Sequence, residues 1–222
     1  KPKLYPLNLK PWNNLLKKIN NQKYEVTIGV VGKYTNLKDS YKSLNEALIH
    51  GGIENSTKVE IKWINAEKIN KKNINKKLQN CNGILVPGGF GLRGIGGKLE
   101  SIKYARQNNI PFFGICLGMQ LAVIEIARNV LKLKNAHSSE FKSTSKSVVG
   151  LMTEWVKGKK IEKRTKDSDK GGTMRLGSYK AKLKKNTKIY SIYKKNIISE
   201  RHRHRYEVNE KYISKFKNKG YI

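Results

Sequence analysis

Acidic residues are scarce in this sequence: 16 Asp and Glu stand against 47 Lys and Arg in 222 residues, a formal charge of +31. Cysteine is scarcer still. Cys81 and Cys116 are the only two, too few for a disulfide framework, and no C-x-x-C or Cys/His ligand spacing is present. That usage suits a reducing compartment, and a cytoplasmic location is expected. The opening stretch KPKLYPLNLKPW has no apolar core of the kind a secretory signal carries. Without such a signal, the sequon Asn55-Ser56-Thr57 carries little meaning. Long apolar runs are also missing, with one exception at 110–127. That run holds Pro111, two glycines, Gln120 and Glu125 and changes period midway, so it reads as a strand feeding a buried helix and not as a membrane span.

The positive charge raises the question of a polyanionic partner, because basic surfaces attract nucleic acid and anionic membrane. Here the lysines run the length of the chain, mixed with asparagine, and no RRM, KH or zinc-finger pattern accompanies them. The expectation is a basic composition on solvated faces, with no nucleic-acid and no membrane partner. The chain begins on Lys1, and it is expected to be a fragment of a longer polypeptide.

What is present is a series of strands separated by helical segments. Trp12, Leu15, Leu16 and Ile19 share a helical face, and residues 1–22 read as a linker with a short helix. EVTIGVVGKY (25–34) is a β-branched run ending at glycine. Asp39 is placed to cap a helix bearing Tyr41, Leu44 and Leu48, with Gly51-Gly52 as its stop. KVEIKWI (58–64) alternates as a strand, 66–80 reads as a charged helix, and GILVP (83–87) as a short buried strand. A helix at 97–108, a strand at 110–115 and a helix at 117–131 follow. Alternation of this kind predicts an α/β fold: three layers, α/β/α, around a mostly parallel sheet. After residue 135 the pattern loosens through 148–155, a charged loop at 157–171 and 173–183, which together predict a small antiparallel excursion with lids.

Two glycine-rich turns carry the chemistry. Gly89-Phe90-Gly91-Leu92-Arg93-Gly94 fits G-x-G-x-x-G after a strand. A dinucleotide site would also need an acidic residue at the end of the next strand, where Cys116 stands instead. The bare backbone N–H groups of such a turn can equally face an anion or an oxyanion. Gly114-Ile115-Cys116-Leu117-Gly118 is G-x-C-x-G between a strand and a helix, the arrangement of a nucleophile elbow. The glycines relieve a sharp turn, and the helix N-terminus favours thiolate. Cys116 is therefore the candidate nucleophile, with the N–H of Leu117 and one from Gly88 or Gly89 as oxyanion donors. A lone cysteine is otherwise more often a buried apolar residue, which is the reading given to Cys81. His202 and His204 would share a face of a strand, but no third ligand is evident and no metal site is expected.

PGGFG (87–91) followed by GICLGMQ (114–120) resembles the class I glutamine amidotransferases. NEALIHGG (45–52), HSSEF (137–141), GGTMRLG (171–177) and RHRHRYEVN (201–209) narrow the resemblance to the glutaminase domains of the CTP synthase family. The resemblance implies a flavodoxin-like amidotransferase domain at 23–222. It implies attack of Cys116 on the side-chain amide of L-glutamine, a glutamyl thioester and release of ammonia. It places glutamine and oxyanion contacts at Gly89, Leu117, Gly118, Met119 and Gln120, with Glu140 holding the substrate amino group and Arg205 its α-carboxylate. A zwitterion requires one anion and one guanidinium fork. The implied partner is a synthetase domain of the same polypeptide, which aminates UTP with ATP and Mg2+ under GTP activation, in a homotetramer. Arg93 and the lid at 157–171 are candidates for the GTP contacts.

The family's base is a histidine oriented by glutamate in a later HPE motif. None of His50, His137, His202 and His204 lies in such a motif, so the domain is expected to be truncated at its C-terminus and impaired in turnover. Two further readings stay open: a glutamine-binding interaction module without catalysis, and a glutaminase subunit of another class I amidotransferase.

Overall fold

The computed structural model describes residues 7–35, 38–142, 146–151, 154–157, 160–163 and 174–221. The chain divides into two compact units, Lys1–Glu125 and Ile126–Ile222.

In the first unit, α1 (Lys10–Asn20) precedes β1 (Tyr24–Gly32), whose burial deepens toward its carboxyl end until Val30 and Val31 are fully enclosed. Then come α2 (Lys42–Glu54), β2 (Thr57–Asn65), α3 (Ile74–Leu78), β3 (Gly83–Val86), α4 (Ile95–Gln107), β4 (Phe112–Gly114) and α5 (Leu117–Asn129), within which the division after Glu125 falls. The four strands form one parallel sheet in the order β2-β1-β3-β4. This is the α/β architecture with a parallel central sheet that the alternating pattern predicts, and every residue of β3 is buried, as a strand covered on both faces must be. The strand order reverses between β1 and β3, and ligand crevices in open parallel sheets form outside the carboxyl ends at such a reversal.

Three local expectations are corrected. Gly51-Gly52 does not stop α2, which continues to Glu54. A Cβ on Gly52 would fall 2.5 Å from the Thr57 carbonyl oxygen and 2.7 Å from Val59 Cγ2, so this glycine lets the helix lie directly on β2. Asp39 does not cap α2. It belongs to a 3-10 turn at Lys38–Tyr41, and Tyr41 stands at the cap position. There the Tyr41 ring stacks on Trp63 at 5.3 Å, and its hydroxyl accepts the Lys33 N–H at 3.2 Å. Residues 66–80 are not one helix but a 3-10 turn at Ala66–Lys68 and the short α3. Between them the Asn70 side chain accepts from the N–H groups of Lys72 and Asn73, and Asn73 accepts from Asn70 N–H, the local competition by which asparagine breaks helices.

The second unit is built of small sheets. β5 (His137–Ser138), β6 (Ser147–Leu151) and, later, β11 (Tyr206–Val208) form one, with β6 between a parallel β5 and an antiparallel β11. The hairpin of β7 (Glu154–Lys157) and β8 (Lys160–Lys163) is antiparallel. So is the pair β9 (Arg175–Lys182) and β10 (Ile197–His204), joined through α6 (Lys188–Tyr193), and α7 (Ile213–Lys217) closes the unit. The antiparallel excursion expected after residue 135 is thus present. Among the described residues, no helix is long and apolar enough to cross a membrane.

Candidate active site

Register places the two glycine turns together. Val86, the last residue of β3, pairs with Gly114, the last of β4. The segments that follow, Pro87–Gly91 and Ile115–Cys116, therefore leave the sheet side by side at its carboxyl edge. Ile115 N–H is tied to the Val86 carbonyl at 3.0 Å, and a Cβ on Gly88 would stand 3.4 Å from Cys116 Cβ.

Cys116 adopts φ +50°, a left-handed conformation that a residue with a side chain takes only under constraint from its surroundings. Close approach supplies that constraint. A Cβ on Gly114 would lie 2.6 Å from the Gly118 carbonyl carbon, and one on Gly118 would lie 2.0 Å from the Val86 carbonyl oxygen. No residue but glycine fits at either place, so the strand turns into α5 within two residues and Cys116 is held at the bend, partly exposed. The first turn of α5 commits Gly118 N–H to Ile115 and Gln120 N–H to Cys116. The Leu117 amide is one of the first-turn donors that an α-helix cannot use internally. Leu117 and Gln120 are buried, whereas Met119 is exposed. Gly89 is half-buried on the facing turn. Cys81, by contrast, is buried beneath Gly29, and burial pushes its thiol up.

HSSEF and RHRHRYEVN meet in the second unit. Asn209 N–H donates to the Val148 carbonyl at 2.9 Å and its side chain to the Ser147 carbonyl, which ties the second string to β6. β5 lies on the other side of β6. Glu140 follows β5 in a turn where its N–H reaches the Oγ of the fully buried Ser138 at 3.2 Å. Burial raises the Tyr206 phenol pKa, with the Glu140 carboxylate raising it further and the Arg205 guanidinium opposing. Both charges therefore act on one side chain. Arg205 Nε is buried with no hydrogen-bond partner among the described residues.

His202 Nδ1 and His204 Nε2 are 2.8 Å apart and bond each other. Among the described residues, no group of three or more His, Cys, Asp or Glu is arranged to hold a metal ion. Arg93 is engaged by Glu67 at 3.0 Å and lies over the Tyr34 ring. Of the stretch 157–171, residues 158–159 and 164–171 lie outside the described residues.

Sequence reasoning passed over Lys98 and Tyr206. Lys98 is fully buried in α4, and its signal was present: with Ile95, Ile102 and Ala105 it occupies the i, i+3, i+4 stripe of an apolar helix face. Tyr206 had no signal beyond its place after Arg205.

The family description "Glutamine amidotransferase class-I" fits residues 36–221. The CTP synthase of Pelagibacter ubique is 58% identical over 218 residues, 98% of this chain and 40% of that protein. The CTP synthase of Rhizobium johnstonii is 55% identical over 214 residues, 96% of this chain and 40% of that protein. Among solved structures, the Trypanosoma brucei CTPS glutaminase domain with bound acivicin matches with a TM-score of 0.76 and 38% identity, over 88% of this chain and 72% of that one. The chain thus spans about 40% of the length of these curated relatives. A cysteine elbow at the carboxyl edge of a parallel sheet, and these likenesses over nearly the whole chain, lead to one conclusion: it belongs to the class I glutamine amidotransferase family, among the glutaminase domains of CTP synthases.

Proposed function

We propose that residues 23–222 hydrolyse L-glutamine through Cys116. The observation that carries this reading is the left-handed Cys116 held between two glycines that admit no Cβ. Non-glycine residues in such backbone conformations cluster at active sites and ligand clamps. The thiolate attacks the amide carbon, and the oxyanion that forms accepts hydrogen bonds from the Leu117 N–H and from the Gly88–Gly89 turn. The C–N bond then breaks, the departing amine takes a proton and leaves as ammonia, and water hydrolyses the glutamyl thioester to glutamate. Glu140 binds the substrate's α-ammonium and Arg205 its α-carboxylate. Arg205 Nε has no hydrogen-bond partner among the described residues, which supports this role, since a guanidinium with a donor to spare suits a carboxylate. Gly89 and the 117–120 segment line the substrate's amide end. Residues 1–22 serve as a linker to the synthetase part of the polypeptide, where the ammonia aminates UTP at the expense of ATP.

The base is the missing element. His50 is exposed on α2 beside Glu46. The His137 ring accepts the Ser138 N–H, and burial, with Arg128 and Lys142, lowers its pKa. His202 and His204 are occupied with each other. Without a base, proton transfer to the leaving amine and from water is slow, so these 222 residues turn over glutamine slowly by themselves. That favours, for the isolated chain, the second reading of a glutamine-binding module. Ammonia release tests both. Little release by this chain, and rapid Cys116-dependent release by a polypeptide that adds a His–Glu pair, is expected. Rapid release by this chain that persists in Cys116→Ser overturns the assignment.

A further inference from the structure

Among the described residues, only two charged side chains are fully enclosed, Glu125 and Lys98. Glu125 is neutralised by Arg106, whose Nε and Nη2 both donate to its carboxylate. Lys98 is not neutralised. It is 0% exposed, and its Nζ has no hydrogen-bond partner among the described residues. Burying an ammonium without an acceptor opposes folding, so packing alone does not account for it. An apolar side chain would fill the same stripe of α4 beside Ile95, Ile102 and Ala105.

The amine is directed under the turn that follows β3. Its Nζ lies 3.9 Å from the point where a Cβ on Gly89 would stand. Leu117 Cδ2 is 3.7 Å and Lys33 Cε 3.6 Å from that same point. Lys33 comes from the end of β1, and its Nζ donates to the Phe90 carbonyl. Two cations from two elements therefore converge on the turn that faces the elbow. Burial, and then the neighbouring Lys33, hold the Lys98 pKa down at about 8, which still leaves a cation at neutral pH.

We propose that Lys98 is a positioning residue for the elbow, its enclosed ammonium setting a positive potential at the Gly88–Gly89 turn that favours the anions formed there. Those anions are the Cys116 thiolate and, on the glutaminase reading on which this part rests, the oxyanion of the attacked amide. Low dielectric strengthens such a field, and because the charge is fixed in place it needs no reorganisation when the anion forms.

The test is the pH dependence of Cys116 alkylation by iodoacetamide, without glutamine, in the parental chain and in Lys98→Met and Lys98→Arg, each with its melting temperature. Lys98→Met is expected to melt at the same temperature or higher at pH 7, while its alkylation midpoint moves up by about half a unit to one unit. Lys98→Arg is expected to keep the parental midpoint. An unchanged midpoint in folded Lys98→Met overturns the proposal, as does a lowered melting temperature with an unchanged profile, which marks a structural lysine. Lys98→Gln gives the same reading if the methionine variant does not accumulate. Protection of Cys116 by glutamine, measured separately in the parental chain, tests the substrate. Loss of protection with the midpoint shift intact removes glutamine and retains Lys98.

Discussion

Gly118 lies so close over β3 that a Cβ on it would come within 2.0 Å of the Val86 carbonyl oxygen. This close approach lets α5 begin directly after Cys116. Gly118→Ala is expected to cost about 3 kcal/mol or more, at the upper end of overpacking penalties, and to change Cys116 reactivity. Gly96, on the exposed side of α4, has nothing within 4 Å of a Cβ, and Gly96→Ala is expected to gain about 0.5–1 kcal/mol from helix propensity. Urea denaturation of both variants checks the pair. A tolerated Gly118→Ala would remove the packing explanation of the elbow.

The Arg106–Glu125 pair ties α4 to α5, with Glu125 only 2% exposed. Removing one partner of a buried pair strands the other charge, so Glu125→Ala is expected to lose about 3 kcal/mol. The double variant Arg106→Met/Glu125→Leu is expected to recover most of that loss, because it leaves neither charge of the pair behind. Equal losses in the single and double variants would show that the ion pair itself, and not the stranded charge, sets the cost.

Two histidines are expected to make the second unit acid-sensitive. Burial lowers the His137 pKa, and Arg128 and Lys142 lower it further. Burial is also the main cause at His204, where Glu207 opposes it and His202 and Arg175 reinforce it. A base whose folded pKa is depressed binds its proton more readily when unfolded. Its stabilisation is therefore complete above the ordinary value near 6.5 and is lost as pH falls through the depressed folded values. The melting temperature is expected to drop as pH falls below about 6.5, and less steeply in His137→Asn. Parallel curves for the two proteins would acquit His137.

Much of the backbone geometry around Cys116 was legible in the sequence. Gly114-x-Cys116-x-Gly118 after an apolar strand announces an elbow because only glycine survives the backbone approach there, and the alternation of strands and helices gave the parallel sheet. The helix expected at 66–80 failed because Asn70 and Asn73 offer the backbone side-chain partners, which hydrophobic periodicity does not register. Gly51-Gly52 looked like a stop because sequence alone cannot show that β2 lies against that face of α2. Glu140 and Arg205 are 65 positions apart, and no spacing rule links them. Only the resemblance of their strings did, and the structure brings both to bear on Tyr206. Lys98 was hidden by its own type, since a lysine in so basic a chain reads as one more solvated charge.

The central claim is that Cys116 meets glutamine, held by Glu140 and Arg205. The most direct measurement is the rate of Cys116 alkylation at increasing L-glutamine, with D-glutamine as control, in the parental chain, Glu140→Gln and Arg205→Met. L-glutamine is expected to protect the parental thiol. Each variant is expected to need roughly tenfold more of it or beyond, as the loss of one charge-assisted hydrogen bond implies. Alkylation indifferent to L-glutamine in the folded parental chain, or protection unaltered in both variants, would contradict the assignment.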